Sequence, residues 1–573
     1  MNIKNIKHKL HKLSYLLVTL PLAGGVASGV LSSCSDWSDH YEDGNGVTGS
    51  NTTLWEEIQN DPQLSDFAEV LSAIRITRQN KATTTSYAEN LMGGRAYTLL
   101  APVNGTFDKN ALIQQAMMSN SGDSAVEKSF AMNHILNSPY SIGGTKDGQK
   151  LLLLNKKYAV FSGNKVNNIN IRQSNIHCKN GIMHILEEPL PYSYNIYEAL
   201  TNLPQFKDAA GVVLKKYNIQ EFDEAATKAG NTEIGQEEGL TIYADSVMRE
   251  VNKMVDALAR LKDIDSVYYV TVPSAEGWNK AWQEAKDAFK YPAPVVEKAD
   301  SLQEYYAYRA LMDDAIYSMT TVNGKQNDSI VSVKYNSKNW DFDPRLHVFQ
   351  KPYEAGGVLN GAEKVIDCAN GKIFQMKEWS LDATKTYHKF IEVEGESYES
   401  YRLSLPDSKF TVDPVKYTPK YEVTTAGGDS ISKGRFIILS PNALYSTNNW
   451  NTTIRIPNTL SATYDVKIVL LPVSVKSSSE KARPVKFKAI LNWIDENGNN
   501  VSEKINKEFQ SDPYKVDTIT IKEDWELPAC SYNMTNNGIG LTLETTVGSR
   551  ETGKFTRNMY LDAIVLTPKP RKK

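Results

Sequence analysis

The stretch that decides the fold of the first half of the chain is Thr98-Leu99-Leu100-Ala101-Pro102-Val103-Asn104-Gly105-Thr106-Phe107. The apolar run over residues 97–101 is halted by Pro102, which has no N–H to donate to a sheet. The run therefore predicts a buried strand that ends in a loop. Upstream, an apolar face at helical spacing predicts an amphipathic helix, with Leu64, Phe67, Leu71 and Ile74 as its members.

This region recurs later in the chain as a diverged copy. Residues 54–66 return as residues 196–208, Pro102 with Phe107 matches Pro273 with Trp278, and residues 130–136 match residues 306–312. Each copy has a similar segment near its end, Cys178-Lys179-Asn180-Gly181 in the first and Cys368-Ala369-Asn370-Gly371 in the second. The two Asn-Gly pairs lie between apolar runs and predict tight hairpin turns. Four matches in the same order indicate an internal duplication.

The first copy resembles the fasciclin domain, an α/β fold in which a β-wedge packs with several helices. Residues 98–107 resemble the first sequence block of that family, and residues 180–186 resemble its second block. Asn133-His134 resembles its central Tyr-His pair, with Asn in place of Tyr. The motif residues that the resemblance assigns are Pro102, Asn104, Phe107, His134, Asn180, Gly181 and His184.

The second copy departs from the pattern. The segment Val272-Pro273-Ser274-Ala275-Glu276-Gly277-Trp278 lacks the usual Asn, and Ala310 stands at the position of the central His. The copy also carries an insertion, in which one apolar stripe predicts a helix through Val247, Val251, Met254, Leu258 and Leu261. The resemblance spans residues 51–385 and implies adhesion or binding rather than catalysis.

The last third of the chain has the alternating pattern of strands. Tyr464, Val466, Ile468 and Leu470 alternate with polar residues, as do Val485, Phe487, Ala489, Leu491 and Trp493. Residues 495–499 form a hairpin turn signal, and residues 559–566 predict a final strand. The pattern predicts an antiparallel sandwich, and it resembles the galactose-binding-like jelly rolls of carbohydrate-binding modules.

One aromatic residue in this part is a candidate ligand contact. Trp450 lies between Asn449 and Asn451, and an aromatic face among amides is the chemistry that sugar-binding sites use. The alternative is a core tryptophan at the start of a strand.

The N-terminus predicts export and lipidation. Lys4, Lys7, Lys9 and Lys12 precede an apolar stretch, as in a secretory signal peptide over residues 1–33. Leu31-Ser32-Ser33-Cys34 resembles the lipobox of bacterial lipoproteins, which implies acylation of Cys34; ordinary signal cleavage is the alternative. The acidic start of residues 34–50 resembles export signals of Bacteroidetes lipoproteins, which implies display on the outer face of the outer membrane. Its alternative is a solvated linker, and the Gly- and Asn-rich remainder predicts a flexible tether.

Composition excludes several other functions. The 573 residues carry 64 basic and 67 acidic side chains, a net charge of −3, so there is no basic surplus for nucleic acid. The histidines and cysteines lack zinc-ligand spacing, and no nucleophile elbow, Walker loop or dinucleotide fingerprint occurs in the sequence. Cys178 and Cys368 occupy equivalent places in different copies, which favours single buried thiols. We expect no metal, no cofactor and no enzymatic activity.

The sequence thus predicts a multidomain α+β protein. Its parts are a signal peptide (1–33), a tether (34–50), two fasciclin-like α/β wedge domains (51–192 and 193–385) and an antiparallel, jelly-roll-like β-sandwich (386–573). We expect a lipid-anchored outer-membrane protein, facing the extracellular side, that binds a glycan or protein ligand beside a TonB-dependent transporter and its lipoprotein partners. Adhesion to cells or matrix is the alternative. A glycan hydrolase in the sandwich is a third hypothesis, which the missing motifs disfavour.

Overall fold

The structure is a computed structural model. It describes residues 51–78, 81–118, 125–143, 147–230, 233–237, 240–243, 247–256, 259–318, 329–336, 347–402, 418–426, 431–442, 447–476, 479–534 and 538–570. The signal peptide, Cys34 and the tether predicted from the sequence lie outside these residues. Within these ranges, no helix is long and apolar enough to cross a membrane.

The first unit consists of four helices packed on a seven-stranded sheet. Its helices are α1 (Leu54–Asn60), α2 (Ser65–Ala73), α3 (Tyr87–Met92) and α4 (Lys109–Met118). Its strands are β1 (Arg75–Arg78), β2 (Lys81–Ser86), β3 (Tyr97–Pro102), β4 (Ile135–Leu136), β5 (Gln149–Leu152), β6 (Tyr158–Ser162), β7 (Lys165–Val166), β8 (Ile169–Cys178) and β9 (Gly181–Leu186). The sheet order is β4-β3-β9-β8-β7-β6-β5, and β1 pairs with β2. The buried strand predicted for residues 97–101 is confirmed as β3, in which every residue is buried.

The helix predicted upstream of this strand is confirmed as α2. Phe67 and Leu71 lie in the helix, Leu64 precedes it and Ile74 follows it, and all four are fully buried. The preceding helix α1 begins with a capping box, in which Thr53 and Glu56 satisfy each other's backbone N–H groups. The capping box therefore fixes the start of α1, which packs in the same buried core as α2.

The second unit repeats this core and adds an insertion. Its helices are α5 (Ile196–Asn202), α6 (Pro204–Lys207), α7 (Ala210–Lys216), α8 (Glu224–Gly230), α9 (Ala275–Ala288) and α10 (Ala299–Met312). Its strands are β10 (Asn218–Phe222), β11 (Glu233–Glu237), β12 (Leu240–Tyr243), β13 (Met248–Asn252), β14 (Tyr268–Pro273), β15 (Ile316–Ser318), β16 (Ser329–Ser332), β17 (Val348–Gln350), β18 (Lys364–Cys368) and β19 (Gly371–Met376). The main sheet has the order β17-β16-β15-β14-β19-β18.

The central strands of the two units have matching registers. In the first unit β3 runs parallel to β9, with Tyr97 opposite Gly181 and Pro102 opposite Leu186. In the second unit β14 runs parallel to β19, with Tyr268 opposite Gly371 and Pro273 opposite Met376. The α5 helix also begins with a capping box, formed by Asn195 and Glu198. The two units share the same central strand pair in the same register.

The helix predicted in the insertion is wrong. Val251 lies instead in β13, which pairs with β10 as an antiparallel ribbon. Glu221 forms ion pairs with Arg249 and Lys253 on this ribbon. After the strand, the side chain of Asn252 accepts hydrogen bonds from the N–H groups of Met254 and Val255, at 3.0 Å each. These cross-strand and turn contacts replace the helical hydrogen bonds. Leu258 lies outside the described residues.

The C-terminal part is an antiparallel β-sandwich, which confirms the predicted fold class. Its elements are β20 (Ile391–Glu394), α11 (Tyr398–Tyr401), β21 (Lys420–Thr425), β22 (Arg435–Ser440), β23 (Asn451–Arg455), β24 (Thr463–Leu470), β25 (Lys486–Ile494), β26 (Asn500–Lys504), β27 (Phe509–Gln510), β28 (Asp517–Glu526), β29 (Gly540–Thr545) and β30 (Met559–Pro568). One sheet has the order β21-β22-β30-β24-β28, with β20 paired to β30. The other has the order β23-β29-β25-β26, with β27 paired to β25. Apolar residues of both sheets form one buried core between them.

An aromatic interface joins the second unit to the sandwich. The ring of Tyr532 lies 5.5 Å from Phe289 and 5.1 Å from Tyr306, and its carbonyl accepts a 2.8 Å hydrogen bond from the Tyr291 hydroxyl. The core of the second unit is continuous with that of the sandwich, whereas the first unit has cores of its own. The second unit and the sandwich thus share one hydrophobic core.

Candidate functional site

The Asn-Gly turn of the first unit is a buried junction between three elements. Asn180 Oδ1 accepts a hydrogen bond from the N–H of Leu54 at 2.8 Å. Its Nδ2 group donates to the carbonyls of Leu91 and Gly93, at 2.7 Å each. One side chain thereby ties the start of α1 and the end of α3 to the turn between β8 and β9.

The second unit has the same junction. Asn370 Oδ1 accepts from the N–H of Ile196 at 2.8 Å, and its Nδ2 group donates to Leu261 and Asp263 at 2.9 Å each. The predicted hairpin turns are therefore confirmed, and each carries an asparagine that binds three backbone groups. In both units, the asparagine side chain connects the hairpin turn to the backbone of neighbouring segments.

Replacing Asn180 by alanine is expected to lower the free energy of unfolding of the first unit by about 3 kcal/mol, because it leaves three backbone groups without partners. Urea denaturation of the full chain measures the change. Asn497→Ala is the matched control, since Asn497 is exposed in a hairpin turn, and we expect it to cost no more than about 0.5 kcal/mol. Equal stabilities for the two variants would refute the role given to Asn180.

The loop after β3 is fixed by Asn104. Its Oδ1 atom accepts from the N–H of Asp66 at 2.9 Å, and its Nδ2 group donates to the carbonyl of Pro62 at 2.8 Å. In the second unit, Ala275 stands two residues after Pro273, where the first unit has Asn104, and it carries no amide. Phe107 lies 5.1 Å from Phe130, ring to ring, and packs against the core. Pro102 ends the strand, as the sequence predicts.

The central histidine, His134, is fully buried, and both of its ring nitrogens contact backbone groups. Its Nδ1 atom lies 2.8 Å from the carbonyl of Phe130, which can only accept, and its Nε2 atom accepts from the N–H of Leu190 at 2.9 Å. The ring is therefore neutral, with its proton on Nδ1. Burial lowers the pKa of His134 to about 4. Because no part of the ring is exposed, His134 can support a binding surface only by positioning backbone.

His184 is held in the same way on β9. Its Nδ1 atom accepts from the N–H of Asn175 at 3.1 Å, and its Nε2 atom lies 3.0 Å from the carbonyl of Tyr140. Burial, the largest effect, lowers the pKa of His184 to about 4. The amide of Asn175 in turn binds both backbone groups of Ile142. This chain of contacts orders the segment after β4.

The structure corrects the ligand-binding role predicted for Trp450. Its side chain is 1% exposed, lies in the sandwich core, and donates from Nε1 to the carbonyl of Arg557 at 2.7 Å. Asn449 Oδ1 accepts from the N–H of Val547 at 2.9 Å, and Asn451 begins β23 opposite Glu544. The core alternative therefore describes Trp450, because its indole is buried in the sandwich core.

Sequence reasoning missed a polar groove on the outer face of the first sandwich sheet. It has a volume of about 400 Å³. Residues of three adjacent strands and the neighbouring loops line it, namely Lys420, Tyr421, Glu422, Ile438, Ser440, Lys476, Glu480, Asn558 and Tyr560. Alternation in the sequence predicts which face of a strand is buried, but it does not show which outward residues become neighbours. No signal in the chain could have placed these residues together.

The remaining titratable groups form no metal site in the part of the chain that the structure describes. Within the described ranges, no group of three or more His, Cys, Asp or Glu side chains is arranged to hold a metal ion. Cys178, Cys368 and Cys530 are free thiols, and burial raises the pKa of each to about 12. At neutral pH these thiols are protonated and unreactive.

Comparison with known proteins gives one match to a sequence family. Residues 63–191 match the model of the Fasciclin domain. No curated protein matches the chain. The match covers β3, β9 and all seven motif residues, from Pro102 to His184.

Similarity to solved structures is low throughout. The CBM22-1–GH10 modules of Clostridium thermocellum xylanase 10B, with 11% identity, cover 32% of this chain at a TM-score of 0.20, and the match spans only 28% of that chain. A xylan-binding CBM 22 domain, with 15% identity, covers 28% of this chain and 90% of its own at a TM-score of 0.17. The FAS1 domain pair of the insect cell adhesion molecule Fasciclin I, with 11% identity, covers 58% of this chain and 97% of its own at a TM-score of 0.16. TM-scores this low assign neither ligand nor activity to this chain. The family match and the motif geometry agree for the first unit: residues 63–191 form a fasciclin domain.

Proposed function

We propose that this chain is a non-catalytic, lipid-anchored protein of the outer membrane that faces outward and binds a ligand beside a TonB-dependent uptake system. The observation that carries the proposal is the modular build. A fasciclin domain, a type associated with adhesion and binding, is followed by a unit with the same strand register and by a sandwich that bears an open polar groove. Because of the repeated register and the repeated asparagine junction, we take the second unit as a divergent fasciclin domain.

The motif residues support a binding role rather than a chemical one. His134 and His184 are neutral, and both ring nitrogens of each contact backbone groups. Asn104 and Asn180 also bind backbone groups. Because these side chains stabilise the scaffold, a ligand would be bound by other residues, at the surface of the protein.

Native co-purification tests the uptake role. The chain, tagged at its C-terminus, is extracted from outer membranes in mild detergent, and its partners are identified by mass spectrometry. We expect a stoichiometric TonB-dependent transporter and its lipoprotein partners. Elution of the chain alone would reject the stable complex and leave adhesion, which the fasciclin domain favours, as the function to test by binding to cells and matrix.

Lipidation at Cys34 has a direct test. Cells are fed an alkyne-tagged palmitate, and the immunoprecipitated chain is assayed for label. Cys34→Ser is expected to lose all label, because the thiol that carries the diacylglycerol is gone. The control Cys368→Ser alters a half-buried thiol of the second unit and should keep full label. Label retained by Cys34→Ser would place the acylation at another residue, and a wild-type chain without label would exclude acylation.

A further inference from the structure

The groove on the sandwich is a regular grid of side chains. In the antiparallel pair β21–β22, Lys420 lies opposite Ser440 and Glu422 lies opposite Ile438. In the pair β22–β30, Ile438 lies opposite Tyr560, and Asn558 directly precedes that strand. Residues two apart share a face, so these six side chains stand on the same side of the sheet in two rows. At about 4.8 Å between strands, each row spans about 10 Å.

The inner row of the grid is closed by the loop after β24. Lys476 Nζ lies 2.6 Å from Glu422 Oε1, and the Tyr560 hydroxyl donates to Glu480 Oε2 at 3.4 Å. Ile438 and Tyr560 are each 6% exposed and form an apolar floor between these contacts. This end of the groove is therefore preformed: Lys476 and Glu422 form an ion pair, and Glu480 accepts a hydrogen bond from Tyr560.

The outer row is open. The side chains of Ser440, Asn558 and Lys420 make no hydrogen bond or ion pair with any other residue in the described part of the chain. Ser440 and Asn558 are half-buried, and Lys420 is exposed. The row offers a hydroxyl, an amide and an ammonium. Together they supply hydrogen-bond donors and acceptors along one edge of the apolar floor.

We propose that this groove binds an uncharged sugar, one or two rings long, with its hydroxyl groups on Ser440, Asn558 and Lys420. Two lysines and two glutamates line the groove, so its formal charge is balanced and it favours a neutral ligand over an acidic or a basic one. Sugar hydroxyls both donate and accept, which matches the mixed outer row. The groove lies on the face of the sheet and not along the edge of β21, and its floor of Ile438 and Tyr560 offers no deep apolar pocket, so it lacks the features by which peptides are bound. The inference rests on the proposed binding function and names its ligand class and site.

The test uses the purified full chain in mild detergent and calorimetric titration. The probes are cellohexaose, xylohexaose, mannohexaose and maltohexaose, with oligogalacturonate and a Gly-Ser peptide as charged and peptide comparisons. We expect at least one uncharged hexasaccharide to bind, and we expect Ser440→Ala and Asn558→Ala each to weaken that binding at least tenfold. Thr425→Ala, which alters an exposed residue on β21 outside the groove, is the matched control and should bind as the wild type does.

The outcomes separate the site from the wider function. Binding that neither groove variant weakens would overturn the site but keep the chain as a sugar-binding protein. Binding of oligogalacturonate or the peptide alone would overturn the ligand class. Failure of every uncharged sugar to bind would overturn the inference, while the co-purification experiment would still decide the uptake role independently.

Discussion

Replacing Gly371 by alanine is expected to lower the free energy of unfolding by about 4 kcal/mol or more, among the largest effects of a single substitution. Gly371 has a φ of +137°, and an added Cβ would overlap the carbonyl oxygen of Tyr268 on the parallel partner strand. Gly181 has the same place in the first unit, with a φ of +153°, where a Cβ would overlap the carbonyl oxygen of Tyr97. In each unit, glycine is what lets β19 or β9 approach its parallel partner.

The two glycine variants should destabilise different parts of the chain. Gly371 lies in a unit whose core is continuous with that of the sandwich, so Gly371→Ala should loosen both. Gly181→Ala should affect the first unit alone, because that unit has cores of its own. Urea-dependent hydrogen exchange, read by mass spectrometry peptide by peptide, measures this pattern in the full chain.

Gly105→Ala is the control for both variants. Gly105 also has a positive φ, +73°, but an added Cβ there meets no atom within 4 Å. Its replacement should cost only about 1 kcal/mol, from backbone strain alone. If Gly181→Ala and Gly371→Ala are no more destabilising than Gly105→Ala, then the close approach of the strands is not what requires glycine.

The structural features that could be predicted from the sequence are those that depend on residues adjacent in the chain. The turn at Asn180-Gly181 and the strand ended by Pro102 depend on local backbone chemistry, which is the same in any context. The alternation in β24 also identified its buried face, because the side-chain period of a strand is two. The resemblance to the fasciclin domain rested on these same residues.

Features set by contacts distant in sequence could not be predicted. The spacing of Val247 and Val251 fits a helix, but pairing with β10 made the segment a strand. Trp450 is flanked by amides, yet its indole is buried in the sandwich core. The contact between Tyr306 and Tyr532 joins the second unit to the sandwich, and the sequence pattern within neither part predicts it. Tertiary packing overrides local pattern in all three cases.

Acidification from pH 7 to pH 5 is expected to destabilise the first unit by about 4 kcal/mol, through His134 and His184 together. Both have a folded-state pKa of about 4, against an ordinary value of 6.5. Above pH 6.5 each ring is neutral in the folded and the unfolded chain, so stability does not depend on it. Between pH 6.5 and about 4 only the unfolded chain takes up the proton, so stability falls by about 2 kcal/mol per histidine at pH 5.

The sandwich should respond in the opposite direction over part of this range. Burial and the neighbouring Glu394 raise the pKa of Asp562 to about 6, so the folded state binds a proton before the unfolded state does. Protonation of Asp562 therefore stabilises the folded sandwich as the pH falls through 6.

Urea titrations at pH 8, 7, 6 and 5, followed by proteolysis and peptide mapping, measure the stability of the first unit and of the sandwich separately. His134→Gln should halve the loss in the first unit, whatever its stability at pH 7. A first unit equally stable at pH 7 and pH 5 would mean that the buried rings accept protons in the folded chain, and the backbone contacts assigned to them would then be wrong.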